Sequence, residues 1–567
     1  MKTKFLAVPI AIFATLISIN LIYGVPQTLA EPSSAVYHAL NPRGYMQQVP
    51  LVPLSRRLST LDGKKLYFVG AQSQGLAKLI SQTFQKHVPN ANVRYLEIAS
   101  PHIEQPEIWK EVKEKGDACI VGVGSCGGMS PKVARWTADV EKAGVPAAFV
   151  VYEEFAKTTK LAAGSKGTPY LRGVYVKRDA DDKANADKIM DPLVQCLTTP
   201  LTEKEKETGT YKPLKPPRIA VTGTMDEIQD YFQQYYTDAH YLGWTDQLPI
   251  IPPTEEKVAK MLKGTSHSPD KVVGTMWPEK WEFTVEKVAV NGVMAGCEPK
   301  YMPVLLAMAE AFGKEKAFLP ECTSSTSFTF MTLVSGKIGK EIGMNAGMGA
   351  MGPCNKANAT IGRALRLFII NLGGGWPGVN LMSSPGNPMM YSWCFAEDNE
   401  NSPWEPFHTT MGFKPEDNCV TVWGGGWVFL ESWGIKGLEG ICQQIKLIPE
   451  PFGAGVIISA DVARSFEKKG FPTRKALQQH LWEYTTQPYS EWSNTYWFKL
   501  MKGASKLNIY GRKFYPMETF DLPPYAVVKT YARPEHIYVM VAGEGIDEGT
   551  VVTKLQFPST VSVDKWR

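Results

Sequence analysis

Between residues 61 and 207, short apolar runs alternate with stretches whose apolar positions recur three and four apart. The runs at 65–70, 93–98, 118–123, 147–152 and 173–177 predict strands. Between them lie amphipathic patterns. Leu76, Leu79, Ile80 and Phe84 form one stripe, 107–115 a second helix, Val133, Trp136 and Val140 a third, and 181–197 a charged last one. Such alternation predicts a parallel sheet with helices on both faces, in a Rossmann-like or flavodoxin-like α/β domain. A proline- and lysine-rich linker is expected over 208–218. Beyond it, apolar patterns predict helices at 302–312, 461–469 and 473–484 and strands at 455–459 and 536–542. The segment 219–567 is thus a second, larger α/β or α+β domain.

The first sixty residues break the pattern. Lys2 and Lys4 precede an uncharged run over 5–25, and Thr28-Leu29-Ala30 supplies a small-residue end before Glu31. Basic, apolar, small is the order of an export signal. The run is also long enough for an uncleaved membrane anchor. On either reading of 1–30 the body lies outside the cytoplasm, periplasmic or otherwise extracytoplasmic, and touches the membrane only through this segment. Residues 31–60, dotted with Pro and Ser, are expected to form a tether.

Composition narrows the function classes. At 567 residues the chain exceeds one ordinary core, and 44% hydrophobic content is that of a globular protein. A net charge of +5 gives no support for nucleic-acid binding. Nine cysteines, odd in number and thinly spread, are not a disulfide scaffold, and none stands in C-x-x-C spacing. The eight histidines form no metal-ligand motif, so the sequence offers no metal site short of one built from distant residues, and it leaves any cofactor unknown.

Candidate chemistry concentrates after the third strand, in G-V-G-S-C-G-G-M-S from Gly122. Ser130 and Pro131 fit the N-cap and first position of the helix that follows. In parallel α/β sheets, ligands bind where strands end and helices begin. Cys126 sits there among Gly122, Gly124, Gly127 and Gly128. The match to a nucleotide loop is partial and no P-loop lysine follows. Two catalytic readings stay open: a nucleophile elbow carrying Cys in place of Ser, and a redox or covalent thiol in a cradle of backbone N–H groups. The plain alternative is a small packed residue, as expected for Cys119.

This stretch, with the helix and G-V-P-A-A-F-V from Gly144, resembles the UGSC family, named for a selenocysteine-or-cysteine, Gly, Ser, Cys motif at the same strand-to-helix turn. Cys126 falls on the selenocysteine-or-cysteine position and Gly127 on the glycine. Gly128 replaces the serine and Met129 the second cysteine, so a local disulfide cannot form. G-W-T-D-Q-L-P-I-I-P-P-T from Gly243, V-N-G-V-M-A-G-C-E-P-K-Y-M-P-V from Val290, N-K-A-N-A-T-I-G-R-A from Asn355 and C-F-A-E-D-N-E-N-S-P-W-E-P from Cys394 resemble the long partner domain that accompanies UGSC modules. The resemblance implies thiol or selenol chemistry and no particular substrate.

The second domain adds further candidates. Cys297 precedes Pro299 and an apolar helical run, which places it near a helix N-cap where the dipole favours thiolate; a packed corner cysteine is the alternative. The loop over 343–352 feeds a helix starting near Lys356. Asn345, Asn355, Asn358 and Arg363 there are candidates for holding an anion or amide, against a solvent-facing Gly/Met turn. Trp244 and Asp246 are expected to line a cleft. Glu397, Asp398, Glu400, Glu405 and His408 crowd a segment that fits either acid–base work or a solvated loop.

Together these features predict an exported thiol-dependent enzyme acting on a small molecule by redox, reductive cleavage or thiol transfer. Cys126 is its nucleophile, Cys297 a second thiol, and Gly124, Gly127 and Gly128 its cradle, with an external thiol or other electron donor as partner. A cysteine hydrolase is the enzymatic alternative and requires a histidine beside Cys126, for which His102 and His408 are candidates. An exported small-molecule-binding protein is the non-enzymatic one.

Overall fold

The computed structural model describes residues 35–567 except 47, 72, 99–104, 179–180, 212–215, 235–242, 432–436, 449–451, 508–511, 513 and 545–549. The expected export segment therefore lies outside the described residues. Among those described, no helix is long and apolar enough to cross a membrane.

The chain enters as a strap rather than a tether. Tyr37–Leu40 (β1) and Val49–Leu51 (β2) are short strands, each paired with a distant one. Between them, the N–H of Leu40 donates to the carbonyl of Pro253, and Tyr45 and Glu282 exchange two backbone hydrogen bonds of 2.7 and 2.8 Å. Lys287 Nζ donates to the carbonyl of Asn41 at 2.6 Å. Residues 37–45 are thereby built into the second domain, and the residues after β2 into the first. Short strands with remote partners carry no periodicity long enough to read, which is why composition alone suggested a tether.

The first domain is the expected parallel sheet. Lys65–Gly70 (β3), Asn92–Glu97 (β4), Ala118–Gly124 (β5), Ala147–Tyr152 (β6) and Gly173–Val176 (β7) lie in the order β4-β3-β5-β6-β7, all parallel. This is the flavodoxin-like arrangement of the two that the pattern allowed. The chain winds outward to β4 on one side of β3 and to β5, β6 and β7 on the other, which leaves a crevice at the carboxyl ends of β3 and β5. β5 is buried along its whole length, as an apolar central strand must be. The helix predicted over 181–197 is broken in two, Asp182–Lys188 and Met190–Thr198.

The linker segment is likewise partly strand. Gly209–Tyr211 (β8) pairs with β2, and Ile219–Gly223 (β9) pairs with β1. Val272–Met276 (β10) and Trp281–Thr284 (β11) form a hairpin. The second domain's main sheet has six strands: Thr329–Ser335 (β12), Cys394–Ala396 (β13), Cys419–Glu431 (β14), Ala454–Ile458 (β15), Ile537–Val541 (β18) and Thr550–Ser562 (β19). Thr486–Pro488 (β16) and Val527–Lys529 (β17) pair apart from it. The order β13-β12-β14-β19-β15-β18 is mixed: the outer pairs β13–β12 and β15–β18 are parallel and the three pairs between them antiparallel. The helices Val285–Ala295 and Met302–Lys314 are buried nearly all round and carry this domain's core, with Phe312, Phe318 and Phe330 clustered at ring separations of 4.7–5.2 Å.

One buried ion pair fastens the strap to the first domain. Arg57 Nη1 lies 2.8 Å from Glu141 Oε1, and both side chains are almost fully buried. The other carboxylate oxygen accepts from the N–H of Ser55 at 2.7 Å. Removing one partner of such a pair leaves an uncompensated charge in the interior. Glu141→Ala should therefore destabilise the protein by about 3–5 kcal/mol, and the double change Arg57→Met with Glu141→Leu by clearly less. Urea unfolding measures both; equal losses would contradict this account.

Candidate functional site

Cys126 lies at the crevice that the strand order creates. β5 ends at Gly124, Ser125 and Cys126 follow half-buried, and the helix Met129–Glu141 starts at once. The helix begins earlier than Ser130 and Pro131 suggested. Ser130 is inside its first turn and donates its N–H to the carbonyl of Cys126 at 2.9 Å. The backbone N–H of Met129 donates to Cys126 Sγ at 3.3 Å. The residue in the second-cysteine position thus supplies a backbone donor to the sulfur.

The neighbouring strand ends complete the rim. Arg178, just after β7, donates from Nη2 to the carbonyl of Ser125 at 3.0 Å and from Nε to Glu154 at 2.8 Å. Its guanidinium lies 4.5 Å from the centre of the Tyr152 ring. Burial raises the Tyr152 phenol, with Asp182 adding to the rise while Arg178 and a hydrogen bond from Ser73 oppose it. Ser73, Ser125, Tyr152 and Arg178 come from the ends of four strands. Arg178 was not among the residues singled out from the sequence; its one local signal is a basic residue directly after a predicted strand.

The second domain closes over the same loop. A Cβ at Gly127 would lie 1.8 Å from the carbonyl oxygen of Thr323 and 2.7 Å from Met382 Cγ. Only glycine permits that approach. Gly128 faces the carbonyl of Pro320, within the same helix Phe318–Thr323. Gly124 packs against Ser130. Gly124 and Gly127 are therefore spent on close packing around Cys126, while Gly128 has room for a Cβ. Thr323 and Met382 had no sequence signal, because nothing local marks a segment that docks on a loop far upstream.

The other predicted residues do different work. Cys297 ends a helix instead of starting one: Gly296 adopts φ +91°, and the N–H of Cys297 returns to the carbonyl of Gly292 at 2.9 Å. Desolvation pushes its thiol up to about 12, against smaller opposing effects of Thr360, Lys356 and Arg363. This reverses the expected thiolate. Its neighbours Gly292, Thr360 and Cys394 include none of those around Cys126. Trp244 is a core residue, 3% exposed and stacked edge-on with Phe232 and Tyr231, rather than a cleft wall. Asp246 and Arg363 form a two-pronged ion pair, both bonds 2.8 Å.

The three asparagines build their own loop. Asn355 caps the helix Lys356–Asn371 by accepting from the N–H of Asn358 and donates to the carbonyl of Gly343. Asn358 donates to the carbonyls of Asn345 and Ala350, and Asn345 to that of Met348. Their polar groups are used internally, which favours the structural reading over the anion cradle.

The acidic segment is divided: Glu400 and Glu405 face solvent, whereas Glu397, Asp398 and His408 are buried. Glu397 and His408 are buried with Ser335, whose hydroxyl bonds both, and Arg474 Nη2 reaches Glu397 at 2.7 Å. His408 Nε2 contacts the carbonyl of Lys414 at 2.9 Å. This network joins β12, β13 and the helix Arg474–Tyr484 and leaves His408 no part beside Cys126. His102 lies outside the described residues. Among the described residues no group of His, Cys, Asp and Glu is arranged to hold a metal, and no disulfide joins any of the nine cysteines.

A thiol held near 12 is ionised to roughly one part in ten thousand at pH 8. Iodoacetamide at pH 8 should therefore modify exposed Cys354 well before Cys297, and Cys297 labelling should keep rising as the pH is raised. Peptide mass mapping reads this directly; comparable rates at the two sites would overturn the assignment of Cys297 as a packed thiol.

Residues 38–205 match the family model described as UGSC family. No curated protein matches the chain. The matched stretch runs from β1 of the strap through the whole parallel sheet, with the Cys126 turn near its middle. By that match, residues 38–205 of the chain are similar to the UGSC family.

Proposed function

We propose that the protein is a thiol-dependent enzyme acting on a small molecule, with Cys126 as the attacking group. The observation that carries this reading is the position of the sulfur. It is half-buried at the crevice between β3 and β5, at a helix N-terminus, with the Met129 N–H donating to it. A backbone donor and the positive end of a helix stabilise negative charge on sulfur. The contacts of Thr323 and Met382 with Gly127 place the second domain beside the thiol, where it can shape a substrate pocket.

The chemistry proposed is displacement at an electrophilic sulfur. The Cys126 thiolate contributes the electron pair of a new S–S bond, and the leaving thiolate departs with the pair of the old one. With Met129 in place of a nearby second cysteine, an external thiol then attacks the mixed disulfide. It takes over the bonded sulfur and returns Cys126 as thiolate; a second external thiol reduces any disulfide that results. The residues over 1–30 support an extracytoplasmic setting for this reaction.

The rate of iodoacetamide modification at Cys126, followed against pH, should rise with a midpoint well below the free-cysteine value of about 8.5. The Cys126→Ser variant should lose that phase and any covalent adduct seen by mass spectrometry of the native protein. A midpoint at or above the free-cysteine value, or an adduct that survives the substitution, would end this proposal.

A further inference from the structure

A groove of about 780 Å³ runs between the two domains, with Leu319 of the helix Phe318–Thr323 in its wall. Most of its wall comes from the helix Ala156–Gly164 with its following turn, the strap near β2, and the β10–β11 hairpin, with Arg135 added from the helix Met129–Glu141. Its charges are one-sided. Arg135, Lys157, Lys160, Lys166 and Lys280 line it against a single carboxylate, Glu279.

Little within the fold answers that charge. Glu279 accepts from Asn380 Nδ2 at 3.0 Å, and Lys166 pairs with Asp139 at 3.2 Å. Among the described residues Arg135, Lys160 and Lys280 make no ion pair. Burial lowers the Lys280 ammonium, and the nearby Lys316, Arg135 and Lys166 lower it further, so these cations repel one another. The floor is aromatic. Lys280 Nζ sits 4.5 Å over the Trp277 ring, the guanidinium of Arg43 sits 5.1 Å from the Trp281 ring, and the Trp277 indole N–H has no acceptor among the described residues. A ring of like charges around an apolar pocket draws anions toward it.

We propose that this groove is a binding site for an organic anion, one that combines an apolar or planar body with a carboxylate, sulfonate or phosphate group. The body lies against Trp277 and Trp281, and the anionic group meets Arg135, Lys160 and Lys280. A ligand so placed touches the strap and both domains at once. The site is independent of the thiol reading.

The test uses the full chain and the fluorescent aryl sulfonate 8-anilinonaphthalene-1-sulfonate. One site per chain is expected, with affinity that falls as NaCl is raised. The double variant Arg135→Glu with Lys280→Glu should bind about tenfold or more weakly. The milder Arg135→Gln with Lys280→Gln covers the case in which charge reversal disturbs the fold, as checked by circular dichroism, and should weaken binding by a smaller factor. Neutral N-phenyl-1-naphthylamine should not distinguish the variants. Laurate and phenyl phosphate as competitors separate a lipid-like acid from a small aryl phosphate, and displacement by either supports the assignment. Equal displacement by inorganic phosphate, many sites per chain, or variants that bind like the parent would overturn it. Cys126→Ser should bind the probe as the parent does, so failure of the thiol proposal leaves this result legible.

Discussion

The approach of Thr323 to Gly127 governs how the molecule is assembled around Cys126. A carbonyl oxygen occupies the place where any other residue would carry its Cβ, so the loop after β5 can be seated against the second domain only with glycine there. The loop is held from behind as well. The N–H groups of Met129 and Ser130 turn back onto Cys126, and Arg178 grips the carbonyl of Ser125. The sulfur is thus fixed by backbone hydrogen bonds on one side and by a neighbouring domain on the other. Such support holds the sulfur in one position at the domain boundary.

Buried polarity elsewhere in the protein serves architecture. Arg57 with Glu141, and Arg474 with Glu397, are ion pairs almost fully withdrawn from water. Pairs of this kind add little net stability over apolar packing but strongly penalise any arrangement that separates them. Each ties segments remote in sequence: Arg57 joins the strap to the helix Met129–Glu141, and Arg474 joins a late helix to β13 and its loop. The pair Asp246–Arg363 does the same for the start of the second domain and the helix Lys356–Asn371. Residues that look catalytic in a string of letters can be the fasteners of a large fold.

Much of the architecture was legible because it is local. The strands of the first sheet, the helix near Lys356 and the late strand at Ile537–Val541 follow from apolar runs and periodicity that tertiary contacts did not override. The site was legible only in part. Cys126 announced itself through its glycines and its place after a strand. Trp244, Asp246 and the three asparagines did not separate from framework, since their hydrogen bonds and burial depend on partners far along the chain. Cys297 misled because a proline two residues later signals a helix start, whereas the left-handed Gly296 makes the cysteine the end of the preceding one. Arg178, Thr323 and Met382 reach the loop through topology alone.

The strap has a consequence for biosynthesis. As the polypeptide leaves the ribosome, β2 can find β8 once the first sheet is made, but β1 must wait for β9, and the backbone around it for Pro253, Glu282 and Asn371. Native pairings of such long sequence separation form slowly. The emerging β1 therefore carries an unsatisfied edge until residues 219–223 are made, and the backbone at Gly44 waits until Asn371. Severing the chain at the junction near residue 210 would not yield two autonomous pieces, because each half would keep a strand whose partner had gone with the other.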